Sequence, residues 1–215
     1  MDMYSIPMAL VDFIPVIFFG AAAFIIQKDL YNKMSKGAYA LVCAGTIDVF
    51  LAGFLKALYK LLYAANVCDF SALNTLFFPL QAIGFMLAGL GLVCLVTLPQ
   101  GKGRMYSVAA PALFSGTMIF VALMVSGLLG IDLSLSLVAK KMQKKCAVVM
   151  FVLSFFFCLA MGYLSSKDFS RNFMNWAAEG VNVIGQAFFF TGTMILHKNG
   201  LYSFRLKQTD ADNFI

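Results

Sequence analysis

The stretch that decides the fold is MYSVAAPALFSGTMIFVALMVSGLLGIDLSLSLVAK, residues 105–140. A helix rises ~1.5 Å per residue, so ~20 residues cross the ~30 Å hydrocarbon core of a bilayer. The stretch is therefore long for one crossing and short for two. Gly127 and Gly130 bracket a predicted turn at 126–130, and Asp132 follows as the predicted N-cap of a second helix. The number of crossings here decides on which side the rest of the chain lies.

The composition predicts a membrane protein. Hydrophobic residues make up 61% of the 215, the mean hydropathy is +0.86, and charged residues make up 12%, about half the share of a soluble domain. A soluble fold of this size could not bury so much apolar surface, whereas lipid solvates it directly. Five further segments are apolar over the length of a crossing: roughly 5–27, 37–65, 73–98, 146–165 and 177–197.

The distribution of Lys and Arg between the loops selects the topology. If 105–140 crosses once, six spans result and each side of the membrane receives seven basic residues. If it turns back, one side receives twelve and the other two. Basic loops stay in the cytoplasm, so the sequence favours seven spans, with 105–125 and 127–141 as the fourth and fifth and six spans as the alternative. The predicted fold is an all-α, polytopic transmembrane helical bundle in the cell membrane.

This topology places the N-terminus outside and the C-terminus in the cytoplasm. The transmembrane domain covers 1–197, and 198–215 form a short cytoplasmic tail of mixed charge. The lipid bilayer is the first partner implied. The net charge of +6 does not indicate a nucleic-acid partner, because the basic residues flank apolar segments and form no basic face.

Polar residues inside the spans identify the candidate site, because each costs ~2.5–3.5 kcal/mol at the bilayer centre when it is ionised. In the seven-span topology, polar side chains of the first, second, third and seventh spans fall at one depth in the outer half. We expect them to form an outward-facing pocket in which Glu179 pairs with Lys56 or Lys60. The predicted ligand-binding residues are Lys56, Lys60, Gln81, Glu179, Asn182 and Gln186. Asp48, which lies deeper, and Asp12 are predicted to gate the pocket or to carry a proton.

The predicted function is the binding or transport of a small polar or amphipathic molecule. The alternative is an accessory or sensory membrane subunit that docks a partner protein, with a purely structural polar network; a homo-oligomer is also compatible. Enzymatic activity is less favoured, because no nucleophile and base pair is recognisable. No metal or other cofactor is predicted, since the chain has one histidine and five cysteines without paired spacing.

Overall fold

A computed structural model describes residues 5–97, 117–165 and 172–204. The part of the chain that it describes is helical, with short turns between the helices. The elements are α1 (Ile6–Val11), α2 (Phe13–Leu30), α3 (Lys36–Ala64), α4 (Ala72–Thr75), α5 (Phe77–Thr97), α6 (Thr117–Lys141), α7 (Lys145–Ser165) and α8 (Asn172–Lys198).

Five helical segments of the described chain are long and apolar enough to cross a membrane. They are Ile6–Leu30, Lys36–Ala64, Ala72–Thr97, Ile119–Lys141 and Lys145–Leu164. The prediction of an all-α membrane bundle is thereby confirmed in outline, and four of the five segments begin and end within three residues of the predicted bounds. α8 is 27 residues long but is not among the five, because polar side chains interrupt its apolar surface.

The predicted turn at 126–130 is wrong. α6 continues through it without a break, and the Ser126 hydroxyl donates to the Ala122 carbonyl at 2.7 Å within the helix. Gly127 lies in contact with the backbone of Phe85 on α5, so it serves close helix packing. Asp132 consequently lies in the interior of a helix instead of capping one. Residues 105–116 of the predicted fourth span lie outside the described chain.

The six long helices form a closed ring in the order α2, α3, α5, α6, α7, α8, with α8 packed against α2. Most neighbours are antiparallel, but α5 and α6 run in the same direction. Gly127 on α6 lies against Phe85 on α5, and Gly130, further along α6, lies against Gly89, further along α5. α2 and α8 are also parallel: near their starts Asp12 and Glu179 both contact Lys60, and near their ends Asp29 contacts His197. The order and direction of the helices bring the beginnings of α2, α5, α6 and α8 and the ends of α3 and α7 to one end of the ring.

Polar contacts join α2 and α8 at the other end of the ring. The buried Asp29 carboxylate lies 2.8 Å from Nδ1 of His197. Three residues beyond the end of α2, the Lys33 ammonium donates to the carbonyl of Phe204 at 2.8 Å. α2 and α8 are therefore joined at this end by polar contacts and midway along their lengths by stacked phenylalanines.

Candidate functional site

A lysine between two carboxylates lies at the end of the ring where α2 and α8 begin. Lys60 Nζ is 2.5 Å from Glu179 Oε1 and 2.9 Å from Asp12 Oδ2. Asp12 lies at the junction of α1 and α2, Lys60 on the last turns of α3, and Glu179 near the start of α8. All three residues are buried, with 4–7% of their surface exposed. We call Asp12, Lys60 and Glu179 the buried ion triad.

The buried ion triad is a closed interaction that ties three helices together. Burying a single charge costs several kcal/mol, and an opposite charge in contact offsets much of that cost. Lys60 is the cation in contact with both carboxylates, so each carboxylate depends on the same ammonium. The ion pair expected for Glu179 with one of the two α3 lysines therefore forms with Lys60.

Lys56 lies one helical turn before Lys60 and has a different environment. Its ammonium is 4.0 Å from the centre of the Phe77 ring on α5, a cation–π contact. The side chain is half-buried and lines two adjoining cavities inside the ring. Lys56 thus presents a positive charge to the interior, without the close carboxylate contacts that Lys60 makes.

The two cavities have volumes of about 90 Å³ and about 60 Å³. They share a wall of amide and aromatic side chains next to the Lys56 ammonium, and the larger one extends between α6, α7 and α8. The buried Oε1 of Gln186 has no hydrogen-bond partner in the described part of the chain. The shared lining residues are Lys56, Phe77, Gln81, Phe85, Asn182 and Gln186. We call the two adjoining cavities together the central cavity.

The structure divides the predicted site residues into two groups. Lys56, Gln81, Asn182 and Gln186 line the central cavity. Lys60 and Glu179 instead belong to the buried ion triad. Asp12 belongs to the triad and also lines the smaller cavity.

Asp48 is half-buried on α3 and lines neither cavity, so its predicted gating role has no geometric support here.

Sequence reasoning did not select the aromatic walls of the cavity or the carboxylate behind it. Phe77, Phe85 and Phe157 line the cavity, but 23 phenylalanines give no signal that separates these from residues facing lipid. Asp132 on α6 is buried near the cavity wall. Its position eight residues before the basic end of an apolar stretch is the signal that could have marked it as an intramembrane carboxylate.

Comparison with protein-family models, curated proteins and solved structures finds no match for this chain. Within residues 5–97, 117–165 and 172–204, no three His, Cys, Asp or Glu side chains lie close enough to hold a metal ion. The fold and site define a helical membrane protein with a charged, partly aromatic cavity.

Proposed function

We propose that the central cavity binds a small molecule that carries an anionic group and an apolar part. The observation that supports this most strongly is the position of Lys56. Its ammonium faces the cavity next to the amides of Gln81, Asn182 and Gln186. A cation with neutral hydrogen-bonding groups beside it is suited to an anionic oxygen, and an intramembrane cation of this kind marks a functional site by default.

The buried ion triad supports the assignment of the anion to Lys56. Lys60 already contacts two carboxylates, so a further anion there would face like charges. Lys56 lies one turn away and its ammonium is stacked on a neutral ring. An incoming carboxylate would keep the cation–π contact and would gain a charge-assisted hydrogen bond, the stronger type of hydrogen bond in proteins.

The walls and size of the cavity define the rest of the ligand. Phe77, Phe85 and Phe157 offer apolar surface beside the polar groups. The larger volume of about 90 Å³ is below the ~300–1,000 Å³ of pockets for drug-sized molecules. A carboxylate on a small aromatic or aliphatic body fits both properties, and binding is a step that transport and sensing share.

We also propose that the chain crosses the membrane seven times, with the central cavity near the outer face. The parallel direction of α5 and α6 supports this count, because consecutive spans of a six-span bundle would run in opposite directions. Seven crossings give the predicted distribution of basic residues, twelve inside against two outside. α8 would then be the seventh span, which its parallel packing along α2 supports.

The test is the thermal stability of the purified protein in lipid nanodiscs with added probes. Benzoate and octanoate each carry a carboxylate on an apolar body, and benzamide is the uncharged counterpart of benzoate. We expect one or both carboxylates to raise the melting temperature and benzamide to leave it unchanged. A ligand at ~100 times its dissociation constant stabilises by ~2.7 kcal/mol. Equal shifts with benzoate and benzamide would contradict the assignment of an anion site.

A further inference from the structure

Asp132 is a buried acid that belongs neither to the buried ion triad nor to the Asp29–His197 contact. It lies in the interior of α6 with 3% of its surface exposed. Its Oδ1 has no hydrogen-bond partner within the described chain. A charged carboxylate that is buried without compensation costs several kcal/mol. The group is stable at this depth when it carries a proton, because the carboxylic acid is neutral.

Asp132 lies directly behind the wall of the central cavity. Leu128, one helical turn earlier on α6, lines the larger cavity, and so does Cys158 on α7. The Cys158 thiol is near enough to the Asp132 carboxyl group for the two to interact electrostatically. The carboxyl group therefore lies one helical turn along α6 from a residue of the cavity wall.

The charged and titratable groups around Asp132 leave it without a cationic partner in the described chain. α5, which packs on one side of α6, has Cys94 as its one titratable residue. α7, on the other side, has Cys158 beside Asp132, while Lys145 and Cys146 lie at its beginning and Tyr163 near its end. No ammonium or guanidinium on α5 or α7 is placed to neutralise the carboxylate.

We propose that Asp132 is a proton-binding site whose proton exchanges with water in the central cavity and whose occupancy is coupled to that of the ligand. On release, the O–H bond of the carboxylic acid breaks, the proton passes to a cavity water, and the carboxylate keeps the electron pair. On uptake, the steps run in reverse. An anion bound to Lys56 would favour the protonated form of Asp132, because two negative charges close together in the protein interior repel each other.

Proton binding at Asp132 is tested by infrared difference spectroscopy of the full chain in lipid during a pH titration. We expect the carbonyl band of a buried carboxylic acid in the wild type, its loss in Asp132→Asn, and its retention in Asp48→Asn, the matched control on α3. Asp132→Glu retains an acid and should shift the band, which keeps the test decisive if the asparagine variant folds poorly. An unchanged band in both Asp132 variants would overturn the proposal.

The coupling between proton and ligand rests on the proposed ligand site, so it is tested by a separate measurement. Benzoate added to the same sample should move the pH at which the Asp132 band disappears to a higher value. If benzoate stabilises the protein thermally but leaves this midpoint unchanged, the coupling is wrong and the ligand site stands. If benzoate has neither effect while the Asp132 band responds to pH, the ligand proposal fails and the proton site stands.

Discussion

Replacing Lys60 with methionine is expected to destabilise the protein by about 3–5 kcal/mol, the cost of breaking a buried ion pair by removing one partner. The reason is that Lys60 contacts both Asp12 and Glu179. Without it, two buried carboxylates lose their shared cation and repel each other. The measurement is thermal and denaturant unfolding in nanodiscs, together with the yield of monodisperse protein.

Two further variants separate the loss of the charge interaction from the loss of packing. Lys60→Met combined with Asp12→Asn and Glu179→Gln removes all three charges, and we expect it to recover most of the lost stability, because neutral amides are far cheaper to bury. Lys56→Met, one turn away, should change the stability by less than the single Lys60 variant. A triple variant as unstable as Lys60→Met would contradict the role given to the buried ion triad.

Replacing Lys56 with methionine is expected to weaken carboxylate binding strongly while the protein remains folded. Methionine keeps the length and apolar character of the lysine stem, so the change removes the charge above the Phe77 ring. A hydrogen bond to a charged group contributes ~1.5–3 kcal/mol, which corresponds to a loss of roughly 10- to 150-fold in affinity. The measurement is the thermal response to benzoate and octanoate across a concentration series.

The matched control for this prediction is Lys140→Met, which removes an exposed lysine at the basic end of α6. It should bind the carboxylate probes like the wild type. Gln186→Leu removes the amide with the unpartnered oxygen and should weaken binding less than Lys56→Met, since a neutral hydrogen bond contributes less than a charged one. Wild-type affinity in Lys56→Met would place the anion site elsewhere.

The sequence could group the polar residues because helical spacing places side chains three or four residues apart on one face of a helix. Glu179, Asn182 and Gln186 recur every three or four residues, and the structure places the last two on the cavity. What spacing could not distinguish was the environment of Lys56 from that of Lys60. One helical turn separates them, and only the packing of α1, α2 and α8 decides which lysine meets the carboxylates.

The error in the predicted turn has a physical cause. Glycine favours turns in water, but inside a membrane bundle it also lets helix backbones approach closely. Gly127 and Gly130 do the latter against α5. The sequence alone does not say which use applies, because the answer depends on the neighbouring helix. The charge count pointed to an additional crossing, and that crossing stays a prediction.

The measurement that tests the arrangement most directly uses two exposed native cysteines, Cys68 between α3 and α4 and Cys146 at the start of α7. Variants that keep only one of them are treated with a membrane-impermeant maleimide in sealed right-side-out vesicles. We expect Cys68 to react from outside and Cys146 only after permeabilisation, because in the proposed seven-span topology an odd number of crossings separates them and the charged cavity lies at the outer end. Reaction of both from the same side would contradict the parallel course of α5 and α6 across the membrane and the proposed outer position of the cavity.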